Sequence, residues 1–212
     1  MTDETYSELL GEVADYYAAK LAQFGANSQG VDWNGEAGQL LRFDQLARVI
    51  GDPGTFSIND LGCGYGAFLD YLAARHKNIH YTGCDIAGNM IAAAKMRFGQ
   101  RNGVTFVNGS RPPEVADYGV TSGIFNVRFN RSEAEWRSYI EATLDLLNET
   151  SHKGFAFNCL TSYSDPERMR HNLYYADPCA LFDHCKRRYS KNVAILHDYG
   201  LYEFTILVRK EL

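Results

Sequence analysis

The 212-residue sequence contains no apolar run near the ~18 residues that a membrane-spanning helix requires. It is poor in cysteine: Cys63, Cys84, Cys159, Cys179 and Cys185 make an odd count, and no C-x-x-C pair occurs. A disulfide framework and a structural zinc are therefore not expected. Positive charge is also scarce. Lys and Arg total 21 against 26 Asp and Glu, a formal net charge of -5. Proteins that hold nucleic acid draw affinity from neutralising phosphates, so the balance argues against that partner. The one dense basic run, Lys186-Arg187-Arg188, reads as the solvated end of a helix. Repeats, linkers and low-complexity segments are missing too. Met1 to Leu10 is acidic and polar, unlike a signal peptide. The expectation is a cytoplasmic protein that engages neither membrane nor nucleic acid.

What is present is an ordinary globular composition, 45% hydrophobic and 22% charged. A chain this long can bury a sizeable core without covalent staples. One domain over residues 1–212 is expected, with residues 1–50 a helical cap and 51–212 an α/β core, as a monomer or homodimer. Helical spacing runs from Tyr6 to Phe24 and from Leu40 to Ile50, where Gly51-Asp52-Pro53-Gly54 stops it. Strands and helices then alternate. Strands are expected at Phe56–Leu61, Ile79–Cys84, Val104–Val107, Tyr118–Phe125 and Phe155–Leu160. Helices are expected at Ala67–His76, Gly88–Phe98 and Ser132–Asn148, the last opened by a Ser132/Glu135 capping box. Ser164-Asp165-Pro166 and Asp177-Pro178 each look like a helix start. Asn192–His197 and Tyr202–Val208 are separated by too short a turn for anything but an antiparallel hairpin. The fold class is a doubly wound α/β sheet of seven strands, five parallel plus a C-terminal antiparallel hairpin. The N-terminal helices should cover its ligand end.

The most informative stretch is Asn59-Asp60-Leu61-Gly62-Cys63-Gly64-Tyr65-Gly66, between a strand and a helix. Glycines there let the backbone turn tightly and approach a ligand, and the following helix points free N–H groups at it. Asp60, at the strand end, suits a cationic amino group. Asp85 ends the next strand, about 20 residues on, the spacing at which a carboxylate accepts from ribose hydroxyls. Gly62-x-Gly64-x-x-Ala67 also satisfies the dinucleotide fingerprint, so an NAD(P)-dependent oxidoreductase is the rival. An acid two residues before the first glycine would repel a pyrophosphate, and no separate substrate domain follows.

Asp60-Leu61-Gly62-Cys63-Gly64-Tyr65-Gly66 resembles motif I of the class I, Rossmann-like methyltransferases that use S-adenosylmethionine (SAM), and Cys84-Asp85-Ile86 resembles their second motif. The likeness spans residues 36–209. A narrower resemblance, to small bacterial methyltransferases of polysaccharide and natural-product gene clusters, rests on 30–34, 122–127, 160–165 and 197–199. The resemblance implies SAM as cofactor and S-adenosylhomocysteine as product. Gly62, Cys63 and Gly64 would pass under the methionine part, with Asp60 near its amino group and Arg42 near its carboxylate. Asp85 would hold the ribose, and Ile86 and Met90 would border the adenosine. Ser110 would stand in for the family's usual acid after the third strand. Ser122 and Phe125 would border the sulfonium, and Tyr16 could close over the donor. Arg42 reads equally well as a surface arginine, and Tyr16 and Tyr17 as core aromatics.

Methyl transfer from a sulfonium is an in-line displacement, which rewards alignment. The expected acceptor is a small molecule, sugar-like or acidic, methylated on oxygen or nitrogen. Ser122 and Asn158 stand where metal-dependent relatives carry acids, so no metal is expected. The 161–177 segment is dense in polar and aromatic groups. His171 is its candidate general base, with Tyr163 beside it, though a surface histidine is the plainer alternative. His197 invites the same pair of readings. Arg128, Arg168, Tyr174 and Tyr175 are candidates for holding the acceptor, and Arg131 for holding an anionic one. A non-catalytic domain that merely binds SAM is the third possibility.

Overall fold

A computed structural model describes residues 3–33, 35–51, 54–99 and 101–210. Asn34 of the narrower resemblance, and Asp52 and Pro53 of the expected helix stop, lie outside them. The chain begins with helices α1 (Asp3–Phe24) and α2 (Glu36–Ala47). Strands β1 (Phe56–Leu61), β2 (Ile79–Asp85), β3 (Val104–Asn108), β4 (Ala116–Thr121) and β5 (Ser151–Leu160) follow. Helices α3 (Ala67–Ala73), α4 (Gly88–Phe98) and α5 (Glu133–Glu149) connect them. Helix α6 (Pro178–Arg188) leads into β6 (Asn192–Leu196) and β7 (Glu203–Arg209). The strand order is β3-β2-β1-β4-β5-β7-β6. β1 to β5 are parallel, and β7 runs antiparallel between β5 and β6.

Local chemistry explains the element ends. Ser132 Oγ accepts from Glu135 N, and Glu135 Oε2 accepts from Ser132 N, the reciprocal bonds of a capping box. Asp177 Oδ1 accepts from the amides of Cys179 and Ala180, with Pro178 opening α6. α2 starts a turn earlier than its apolar spacing suggests, with Glu36 at the positive end of its dipole. It then tightens, with Val49 and Ile50 donating three residues back.

Other bounds also depart from expectation: β5 starts at Ser151, four residues before Phe155, and α3 ends at Ala73, three before His76. The helix expected after Ser164 is a single 3-10 turn, Pro166–Arg168, because its side chains are exposed and offer no apolar face to bury. Val127 instead bridges Leu173 in antiparallel fashion. β4 stops at Thr121 rather than Phe125, since Gly123 turns to φ 81° and its N–H goes to Asn158 Oδ1 at 2.8 Å.

Helices cover both sheet faces. Phe43 and Leu46 of α2, Phe68 and Leu72 of α3, and Ile91 and Ala94 of α4 pack on Ile58, Tyr81 and Val120. On the other face Trp136, Ile140 and Leu144 of α5 and Cys185 of α6 meet Phe155, Phe157, Phe204 and Ile206. Leu9 carries α1 onto this second cluster. Each buried Leu, Ile, Val or Phe among them contributes about 1.5–3 kcal/mol of transfer free energy. Alternation along β5 and β7 thus sends Asn158 and Glu203 to the α2 face, a placement that matters below.

Candidate functional site

Parallel strands deliver their carboxyl ends to one edge, and there the glycine turn meets the end of β2. Gly62 N and Cys63 N both donate to Cys84 O, at 2.8 and 3.1 Å. Gly62 sits at φ 72°, and a Cβ built on it would collide with Ile124 Cγ2. Only glycine fits there. Asp85 ties the two segments: Oδ2 accepts from Gly64 N and Oδ1 from Ala87 N, both at 2.8 Å. A carboxylate has about four lone-pair sites, so each oxygen retains one for a further donor. Asn108 braces the same turn, its Nδ2 donating to the carbonyls of Asp85 and Ile86.

These segments line a cavity of about 1030 Å³, open solvent at its mouth included. α1 roofs it with Leu10, Val13 and Tyr17, and α5 closes its rear with Tyr139, Thr143 and Leu146. Of the expected donor-site residues, Asp60, Gly62, Cys63, Gly64, Asp85, Ile86, Met90, Ser110 and Ser122 all lie on its wall. Ser122 Oγ is buried with no hydrogen-bond partner, a polar atom of the kind that a ligand satisfies. Asp60 is buried and accepts from Tyr81 Oη at 2.6 Å. Burial pushes its carboxyl up to about 7; the Tyr81 bond opposes that rise, and the charge of Asp85 adds to it. Burial also raises Asp85, against the two backbone donors. Two carboxyls held above their ordinary range in an apolar cleft are groups awaiting a cation or polar hydrogens.

Three donor-site candidates lie off the wall. Arg42 is not on the wall: its fork is committed to Glu203, with Nε to Oε2 at 2.8 Å and Nη2 to Oε1 at 2.6 Å. Gln39, one turn earlier on the same face of α2, lines the cavity instead, its Oε1 accepting from Tyr65 Oη at 3.3 Å. Phe125 turns into the core, where its carbonyl accepts from Trp136 Nε1, and Ile124 takes the wall position. Tyr16 faces outward and donates to Asp32 Oδ2 at 2.6 Å, while its neighbour Tyr17 lines the cavity. The one-residue offsets are invisible to spacing arguments where a strand ends early, as β4 does, or where adjacent helix residues straddle the edge of a face, as Tyr16 and Tyr17 of α1 do.

The acceptor-side expectations fare worse, because the cavity wall includes none of them. His171 and Tyr163 are exposed; Tyr163 packs near the His197 ring. Arg168 is exposed and lies over the Tyr202 ring. Tyr174 packs against the α5–α6 cluster, and Tyr175 Oη accepts from Arg170 N. Arg128 Nε is buried without a partner but away from the wall, and Arg131 pairs with Glu12 of α1 at 2.9 Å. These side chains project from a segment with no regular period, so composition alone could not orient them. Trp33 was missed. It lines the cavity, and its ring lies under Arg42, with Cζ 4.0 Å from the ring centroid.

Comparison with known proteins finds relatives in sequence and in fold. Residues 59–150 match the family described as "Methyltransferase domain". The chain is 62% identical over 163 residues to "Putative methyltransferase Rv1506c" of Mycobacterium tuberculosis (strain ATCC 25618 / H37Rv), covering 77% of this chain and 98% of that protein. Among solved structures it resembles a DhpI–SAM–HEP complex, with TM-score 0.66, 14% identity, and 95% and 97% of the two chains covered. It also resembles magnesium protoporphyrin IX methyltransferase (ChlM) of Synechocystis PCC 6803 with bound S-adenosylhomocysteine. There the TM-score is 0.66 at 13% identity, over 99% of this chain and 100% of that one.

Proposed function

Since the chain belongs to the class I SAM-dependent methyltransferases, we propose that it methylates an oxygen or nitrogen of a small metabolite, without a metal. The observation that carries this reading is one cavity holding two buried carboxyls, a glycine turn and the unpartnered Ser122 Oγ. Those residues fit SAM. Asp60 would face its ammonium, Gly62 to Gly64 its methionine backbone, Asp85 its ribose hydroxyls, and Ile86, Met90 and Ser110 its adenosine. Gln39 takes the carboxylate role once given to Arg42.

When bound, the donor supplies a methyl group already activated on a sulfonium. The chain itself then has to align the acceptor and keep water out. Alignment alone supplies roughly 7–11 kcal/mol of a displacement barrier. Apolar walls from Val31, Phe43, Ile124 and Leu61 exclude water. Neither His171 nor Tyr163 reaches the wall, so no base from the 161–177 segment enters this reading. Among the described residues no group of three or more His, Cys, Asp or Glu stands together as metal ligands. Among the described residues the wall carries no Lys, Arg or His, which favours a sugar-like acceptor over an acidic one. Five unpaired cysteines suit a reducing, cytoplasmic setting, and within a single domain α1 caps the cavity while α2 joins the layer on one sheet face.

Titration calorimetry tests this directly. S-adenosylhomocysteine should bind and NAD should not; heat from NAD alone would overturn the assignment.

A further inference from the structure

Glu203 and Arg42 form a buried ion pair, with side chains only 1% and 11% exposed. Taking two charges out of water is expensive, and apolar residues often replace such pairs at no loss. The use of this pair lies in what it holds. Asn158 Nδ2 donates to Glu203 Oε2 at 3.0 Å, and Asn158 Oδ1 takes the Gly123 N–H. Arg42 covers one face of Trp33. The edge of that ring sits on Gly123: a Cβ there would lie 2.5 Å from Cζ2 and 2.8 Å from Cη2. Trp33 is thus fixed by a cation on its face and bare backbone at its edge, and it lines the cavity.

This is the end of the cavity away from Asp85. β4, which ends beside Gly123, lies across β1 from β2. Beside Arg42 and Gly123 the wall is Phe43, Ser122 and Ile124, none of them ionisable. Resting on the reading of the other end as the donor site, we propose that Trp33 selects the methyl acceptor and that Arg42–Glu203 is the positioning pair that holds Trp33 in place. The occupant that fits is an uncharged, hydroxylated molecule with a flat apolar face, an arene or the C–H face of a pyranose. Its face stacks on Trp33, and a hydroxyl meets the unpartnered Ser122 Oγ.

The test combines acrylamide quenching of tryptophan emission, calorimetry with S-adenosylhomocysteine, and initial rates on phenols, pyranosides and matched carboxylates. The second tryptophan, Trp136, is fully buried, so the quencher reports Trp33. Glu203→Gln should raise the quenching constant about threefold while product affinity stays within about twofold, because the pair does not touch the donor end. It should raise acceptor KM about tenfold with kcat nearly unchanged. Should Glu203→Gln fail to fold, Arg42→Lys, which keeps the charge and loses the fork, carries the same expectation. Trp33→Ala should lose about tenfold in kcat/KM with product affinity intact. Unchanged quenching in the pair variants, full activity in Trp33→Ala, or carboxylates turned over ahead of neutral acceptors would each overturn the proposal. If no acceptor reacts, the quenching arm alone decides it. Wild-type protein that fails to bind the product would instead sink the donor-site reading.

Discussion

The two ends of the cavity are built on different principles. At the β2 end, polar groups are fixed by backbone: Asp85 is pinned by the amides of Gly64 and Ala87, and Gly62 by Cys84 O. At the β4 end they are fixed by one another. Arg42, Glu203, Asn158 and Gly123 come from four separate elements and meet only once the sheet is complete. The first arrangement needs a short stretch of chain and a definite spacing. The second needs a tertiary register, β5 against β7, that no local pattern announces.

Removing the central group of the backbone-fixed end should have the largest effect. Asp85→Ala deletes a carboxylate that supports both the glycine turn and, on the proposed reading, the ribose. Hydrogen bonds to an ionised acceptor are worth about 1.5–3 kcal/mol each, and two of them amount to about 100-fold or more in affinity. Calorimetry with S-adenosylhomocysteine should therefore show little or no binding. Retention of near-native affinity would mean that this end is not organised around Asp85.

Next is the glycine turn itself. Gly62→Ala places a Cβ at φ 72° and against Ile124. Left-handed strain and overpacking together should cost about 2–4 kcal/mol. In a chain of this size that lowers the melting temperature by about 5–15 °C. Trimming Ile124 to Ala in the same protein should relieve the overlap and return part of the loss. If the double variant is no more stable than the sum of the singles predicts, the collision is not what constrains the turn.

Asp60 offers a smaller effect with a definite sign. Its carboxyl sits at about 7, raised by burial from an ordinary 3.8. Raised this way, its contribution to stability is fully present below its ordinary value and is lost as pH climbs through about 7. A cation beside it reverses the preference and favours the ionised form. Product affinity should therefore rise, by about tenfold, between about pH 6 and about pH 8, with proton release at the lower pH. Asp60→Asn should flatten the profile. A profile that is flat in the wild type would place the amino group elsewhere.

How much was legible follows from the same contrast. The seven strands, their directions and the capping box at Ser132 could be read because apolar periodicity and capping are local properties. Asp60, the glycine turn and Asp85 were legible because backbone geometry ties them to fixed offsets. Helical spacing puts Arg42 on the correct face of α2 but says nothing about a carboxylate 161 residues away, which holds it off the cavity wall. Phe125 and Tyr16 were each off by one residue, where β4 ends early and where α1 turns its neighbour inward. The 161–177 segment was rich in chemistry and had no period, so its side chains could be counted but not aimed.

That last point supplies the smallest expected effect. His171 is the only histidine in the 161–177 segment, and composition nominates it as a base. In the structure it is exposed and absent from the cavity wall. A proton acceptor has to stand within hydrogen-bond reach of the reacting group, directly or through one water. His171→Ala should accordingly leave kcat within about twofold and the pH–rate profile unmoved, as expected of an exposed surface substitution. A loss of about 100-fold, the scale of general-base catalysis, would instead mean that the 161–177 segment closes over the acceptor during turnover, and the β4 end would then owe its chemistry to a loop as well as to the frame around Trp33.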